Sequence, residues 1–404
     1  MWVVFNIEKI LNVPIELITQ VKYLFAFVFM GLGINVLGSV FSVATFAKNK
    51  IELSAIRSIQ SKLIYVSLLI IMFLIFKPSV VYIGICNFIS ILFVFVTNLY
   101  YTRKLLPEIS INKKYFKFSA IKELISCGIW NTVNQLSKIL LSGLDLLIVN
   151  IFIGASAAGE YAIVQTMPNL IQSLVGTLVG VFVPQFTILY AQKKQDELIG
   201  SINYSIKIMG LLITLPISFL IIFGDIFFSL WVPGENVYRL HILSLLLIVP
   251  MIITGSINTI FNVYTVTNKL KLPALILLLA GIIKSGLVFL CLLITPLGIF
   301  AIPFVSSIVD IVTNLCFTPI YGAKCLGIKW NTFYIALLRG TICALVMMCI
   351  CYLLRSQIDV NTWIELFIVA GISTIIALII NVHIVFNRKE RKEVIMMIRQ
   401  RVSN

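Results

Sequence analysis

Charge is what this chain has least of. Only 12% of its 404 residues are Asp, Glu, Lys or Arg, about half the share of a soluble globular chain. Hydrophobic residues make up 60%, and the mean hydropathy is +1.06. A water-soluble fold of this length cannot hide that much apolar surface, because surface does not shrink fast enough with size. The excess must face lipid. Chemistry-bearing residues are sparse too. The only two histidines, His241 and His383, suggest no role. The eight cysteines contain no CxxC pair, so neither a metal site nor a disulfide framework is supported. No GxxxxGK[ST] loop occurs, which excludes an ATP-driven pump on its own. No nucleophile–base–acid set stands out, which argues against an integral-membrane enzyme. The start, MWVVFNIEKI, has no basic segment before its apolar residues and does not read as a cleavable signal peptide.

What is present is a series of apolar runs. A helix needs about 20 apolar residues to cross a bilayer. Eleven runs fit, near 22–46, 63–76, 79–101, 125–152, 158–190, 206–229, 239–266, 273–294, 298–321, 331–354 and 362–387. The second is short and is expected to begin within the basic loop before it. The expected fold is therefore an all-α polytopic membrane protein of about 11 transmembrane helices. The net charge of +15 does not indicate nucleic acid, because the basic residues lie between the apolar runs. They also sort by side. Twenty-two Lys and Arg residues fall in one set of loops and the C-terminal tail, five fall on the other side, and four lie within runs. The positive-inside rule makes the 22-residue side cytoplasmic, the C-terminus included. Trp231, Trp330 and Trp363 fall at run ends, as interfacial aromatics do.

An internal repeat follows. Val96-Thr97-Asn98-Leu99-x-x-Thr102 returns as Val312-Thr313-Asn314-Leu315-x-x-Thr318, a shift of 216. Phe41-x-Val43-x-Thr45 returns as Phe261-x-Val263-x-Thr265, a shift of 220. The second copy then spans six helices, and the first copy has only the last three. This divides the chain into 1–117, a remnant N-terminal lobe with three full helices, 118–325, a six-helix C-terminal lobe, and 326–404, two further helices and a basic tail. The expectation is a two-lobe repeat whose first lobe lacks about three spans, with MWVVFNI as the tail of a broken helix.

Ile125-Ser126-Cys127-Gly128-Ile129-Trp130-Asn131 opens the second half. It is followed by Leu144-Asp145-Leu146-Leu147-Ile148-Val149-Asn150 and by Ile153-Gly154-Ala155-x-x-Ala158-Gly159-x-Tyr161, with Leu106-Pro107-Glu108 upstream. With these motifs on a repeated helical frame, the chain resembles the bacterial O-antigen and polysaccharide flippases. These belong to the multidrug/oligosaccharidyl-lipid/polysaccharide exporter superfamily. The resemblance implies two lobes that rock about a central cavity. It implies a substrate glycan on undecaprenyl pyrophosphate, turned from the cytoplasmic to the outer face of a bacterial cytoplasmic membrane. Partners so implied are the lipid-linked oligosaccharide, membrane lipids, and the polysaccharide polymerase and glycosyltransferases of the same assembly; no nucleic acid partner is expected.

Polar residues within a span are costly and usually face a cavity or a partner. In the run 125–152 they are Asn131, Asn134, Gln135, Lys138, Ser142 and Asp145, which share one face of an uninterrupted helix. Such a row reads as a cavity wall. The plainer reading is helix–helix hydrogen bonding. Lys138 and Lys284 can each hold a pyrophosphate as a point charge. For Lys284 the competing reading is a structural ion pair with an acid such as Asp310. Lys207 and Arg339 read as interfacial or snorkelling residues. Gln165, Asn169 and Gln172 share a face of the next run around Pro168, where a bent helix is expected. Asn258 and Asn262 lie on a face of the run 239–266 with Gly255, Thr259 and Thr265, and small-residue packing competes there. Asp145 and Asp310 can alternatively carry a coupling proton or sodium ion; no other cofactor is expected. Beside the flippase stand three other readings: a cation-coupled multidrug exporter, a membrane glycosyl- or acyltransferase, and an inactive truncated flippase. Short loops without catalytic residues weigh against the transferase, and an interior richer in Lys and Asn than in acids weighs against the exporter.

Overall fold

Long apolar runs in lipid leave the backbone few solutions, because every N–H and C=O must be satisfied within the segment. A computed structural model describes residues 4, 6–48, 50–108, 117–387 and 390–391, and among them every regular element is helical. Ten helices are long and apolar enough to cross a membrane, and a bent pair makes an eleventh. The protein is thus a multi-pass membrane protein, as the run count predicts.

The chain divides into two compact units, Met1–Leu124 and Ile125–Asn404. The first holds α1 (Ile18–Ala47), α2 (Ile51–Ile75) and α3 (Val81–Leu105), preceded by one helical turn at Ile7–Ile10. α2 begins well before the expected 63, because Ile51–Ile75 is helical through Arg57 and Lys62. Arg57 explains how a basic residue is kept there. Its guanidinium is buried and donates to the Leu53 carbonyl, to Asn98 Oδ1 and to Thr45 Oγ1 (3.2 Å), and it stacks 5.1 Å over the Tyr101 ring. The planar fork of arginine suits three partners at once. Asn98 and Thr45 belong to the two repeated motifs, which meet again where Thr102 Oγ1 donates to the Phe41 carbonyl at 2.9 Å.

The unit boundary falls within α4 (Phe118–Lys138). After α4 come a π-turn at Ile139–Gly143 and then α5 (Asp145–Phe152), α6 (Ala155–Ala191), α7 (Gln195–Trp231) and α8 (Val237–Ile248). Next are α9 (Met251–Ile257), α10 (Phe261–Val266), α11 (Lys271–Ile294) and α12 (Ala301–Val312). A second π-turn at Thr313–Phe317 leads into α13 (Thr318–Leu326), then α14 (Tyr334–Arg355) and α15 (Trp363–Val385). α7 is the central helix of this unit: 67% of its apolar window is inside, and α14 packs along it. Pro168 and Pro184 lie inside α6, which stays helical through both. Gly154 holds φ at +135°, a backbone state that L side chains avoid, and this makes the tight turn from α5 into α6. α15 starts on a capping box, Thr362 with Glu365, as the T-x-x-E spacing allows. The repeated motifs also meet in this copy, through Tyr264 Oη donating to the Thr318 carbonyl at 2.8 Å.

Two of the charged residues within runs have protein partners. Lys207 is buried against protein and pairs with Glu390 at 2.6 Å. Arg339 donates to the Val385 carbonyl at 3.0 Å, so α15 supplies the partner that snorkelling would have sought in water. All seven cysteines whose side chains are described are free.

Candidate functional site

A lysine deep in a membrane lobe must find oxygen atoms or remain uncharged. Lys284 lies midway along α11 and is 2% exposed. Its Nζ donates to both carboxylate oxygens of Asp145, at 2.8 and 2.9 Å, and to the Leu141 carbonyl. Asp145, the first residue of α5, is 3% exposed. Its Oδ2 also accepts from Tyr161 Oη at 3.3 Å, and the Gln165 side chain bonds that same hydroxyl. A chain of polar contacts therefore runs Gln165, Tyr161, Asp145, Lys284 across α6, α5 and α11. Asp310 on α12 is half-buried and near enough to interact electrostatically with both Lys284 and Asp145. No hydrogen bond or ion pair reaches its carboxylate from the described residues.

Local structure explains why these groups meet. The π-turn at Ile139–Gly143 adds a residue to the helix, and the axis bends by 43° between Gly128–Gly143 and Asp145–Phe152. The turn is wider than an α-turn, and Leu141, whose carbonyl receives the ammonium, lies within it. Close approach of α11 depends on Gly281, one turn before Lys284. A Cβ there would lie 2.7 Å from Leu140 Cβ, an impossible contact. Ser137 Oγ reaches the Ala274 carbonyl at 3.4 Å further along the same seam.

The expectation that all six polar residues of the run 125–152 share one face is corrected for the same reason. Counting 100° per residue holds through Lys138 but fails across the π-turn. Gln135, Lys138 and Ser142 are exposed and Asn134 is half-buried, whereas Asp145 is turned inward. Asn131 lies on α4, but its side chain is outside those described. The expected partner of Lys284 is corrected too: the ion pair is with Asp145, and Asp310 stands beside it. On α6, Gln165 is half-buried, and Asn169 and Gln172 are exposed. Asn258, in the turn between α9 and α10, and Asn262, near the start of α10, are half-buried. Asn262 Nδ2 donates to the Val179 carbonyl of α6 at 3.2 Å, next to Gly180, whose carbonyl Pro184 cannot serve as the i+4 donor. This is the helix-bonding role.

Tyr161 was not among the residues that polarity within a span selects, yet its hydroxyl joins Gln165 to Asp145. The signal for it lay in the motifs themselves. Asp145 and Tyr161 sit in consecutive motifs of the flippase resemblance, and the fold bonds them to each other.

The profile of a family described as polysaccharide biosynthesis protein matches residues 10–190. An uncharacterized membrane protein of Bacillus subtilis (strain 168), EpsK, is 28% identical over 367 residues, covering 89% of this chain and 71% of that protein. Among solved structures, an inward-facing multidrug resistance MATE family transporter of the MOP superfamily superposes with a TM-score of 0.65. It is 14% identical and covers 80% of this chain and 76% of its own. The lipid II flippase MurJ, in an inward closed conformation, gives 0.64 at 14% identity, covering 91% of this chain and 73% of its own. The last two likenesses concern the fold alone.

Proposed function

We propose that this chain is a polysaccharide flippase of the kind it resembles, and that it turns a lipid-linked oligosaccharide across the cytoplasmic membrane by alternating access. The substrate class is a glycan repeat unit on undecaprenyl pyrophosphate. The basic loops and the C-terminus lie in the cytoplasm, where such substrates are assembled.

The observation that carries the reading is the division of polar residues on α4 to α6. Gln135, Lys138, Ser142, Asn169 and Gln172 are exposed within otherwise apolar spans, while Asp145 and Lys284 are sequestered with each other. Exposed amides and the exposed Lys138 ammonium suit many weak contacts to a sugar chain, with Lys138 as a point charge for pyrophosphate. A cationic drug would instead seek a free acid, and of the two acids of this centre Asp145 is held by Lys284 and Asp310 stands beside that same cation. A coupling proton is part of the proposal, with Asp310, beside the Lys284–Asp145 pair, as its seat.

Surface polysaccharide in a flippase-deficient bacterium that retains the matching glycan-assembly enzymes tests this. The chain is expected to restore polysaccharide, and Lys138→Ala is expected to reduce it several-fold at equal membrane abundance. No restoration at normal abundance, with the parental flippase restoring it in the same strain, overturns the reading.

A further inference from the structure

The Lys284 centre has the ligand chemistry of a metal-ion site. Alkali and alkaline-earth cations take carboxylate and carbonyl oxygens, and in transporters they are commonly held where a helix is broken and its carbonyls are turned out. Here the two oxygens of Asp145 and the Leu141 carbonyl converge on one point, beside the π-turn and the 43° bend. The occupant of that point is the side chain's own ammonium. It is 2% exposed and lies on α11, which Gly281 allows to approach the turn closely.

We propose that Lys284 is a tethered cation, filling an oxygen site that would otherwise take a monovalent metal ion such as sodium. The consequence is specific: this lobe does not bind sodium, because the ammonium already supplies the positive charge that Asp145 requires. A covalently held cation cannot dissociate. Any ion exchange coupled to transport must therefore use another group or a different ion. The inference deepens the coupling part of the proposed function, but its test does not depend on transport.

The purified full chain in detergent is melted in sodium chloride and in choline chloride at equal ionic strength. The wild type is expected to show the same midpoint in both. Lys284→Met removes the ammonium, keeps most of the side-chain volume and leaves Asp145 with the Leu141 carbonyl. That variant is expected to gain a sodium-specific rise of roughly 5 °C at saturating sodium. The double variant Lys284→Met with Asp145→Asn removes both charges and is expected to fold and to lose the sodium response. A sodium-specific shift in the wild type overturns the proposal. So does a Lys284→Met protein with equal midpoints in the two salts. If Lys284→Met fails to accumulate even in sodium-rich medium while the double variant accumulates, the vacated oxygens do not take the ion, and the proposal fails. If polysaccharide export fails to be restored while the sodium gain appears, the site assignment stands and the flippase reading alone falls.

Discussion

Transfer of an ammonium from water into a membrane lobe costs several kcal/mol, so Lys284 can stay charged only with its partners in place. Removing one partner is worse than removing both, by about 3–5 kcal/mol for a buried pair. Tyr161 has a smaller part. Its hydroxyl donates to a carboxylate oxygen that Lys284 already holds, at 3.3 Å. Tyr161→Phe is therefore expected to keep the fold and lower stability by on the order of 1.5 kcal/mol, read from an unfolding curve in mixed micelles. A loss near that of Asp145→Asn would mean that the tyrosine, not the lysine, keeps the carboxylate in place. At this scale the sequence marked Asp145, Lys284 and Gln165 as polar groups inside apolar runs. It did not reveal that they touch, since residues 145 and 284 come from helices far apart in the chain.

Helix phase is decided at the element scale, and here one turn changed the outcome. Across Ile139–Gly143 the extra residue of the π-turn displaces all later residues from the 100° count, which places Asp145 on the inner side. Deleting one residue from this turn, such as Ser142, regularises the helix and keeps Asp145 facing Lys284. Inserting an alanine after Ser142 rotates Asp145 by about 100° and leaves two buried charges apart. Monodisperse protein recovered from size-exclusion chromatography is expected to persist for the deletion and to fall sharply for the insertion. Equal recovery of both would show that the pair is not needed for folding. Composition does not announce a π-turn: Ile139–Gly143 reads ILLSG, which could continue an α-helix. Other element-scale features were plain in the chain, including the Gly154 turn and the Thr362–Glu365 capping box.

At the scale of the whole molecule the two units carry separate locks. Arg57 ties α2 to Asn98 and Thr45 in the first unit, and no acid among the described residues pairs with it. Lysine cannot reproduce a three-way fork. Arg57→Lys is expected to speed amide hydrogen exchange at the ends of α1 and α3 where Thr45 and Asn98 lie, and to leave exchange in α7 and α14 unchanged. A uniform change across both units would argue against independent locks. In the second unit Glu390 fastens to Lys207 after α15. Burial pushes its carboxyl upward, but the Lys207 ammonium, the Asn387 N–H and Arg339 outweigh that and hold it below the ordinary glutamate value of 4.5. A carboxyl lowered on folding stabilises above its unfolded value, and that contribution is lost as pH falls through the lower folded value. The melting midpoint should therefore drop as the medium is acidified below about 4.5, and Glu390→Gln should flatten that drop. An unchanged acid limb in the variant would exclude Glu390 as a contributor.

Hydrophobic run length and the distribution of lysine and arginine were enough to read the membrane class and the helix count, because the bilayer fixes how long an apolar segment must be and forbids unpaired backbone. The repeated Val-Thr-Asn-Leu and Phe-x-Val-x-Thr segments were visible as spelling, and the fold brings them together in each copy. Tertiary structure alone decided which polar groups meet. One inserted residue set the direction of Asp145, and one missing side chain at Gly281 set how closely α11 approaches. A pattern with a period of 3.6 carries no record of a turn that breaks the period, and spacing along a chain carries no record of contacts between helices 139 residues apart. The sequence by itself therefore determined a polytopic helical protein with charges inside its spans, and packing determined that Lys284 and Asp145 neutralise each other there.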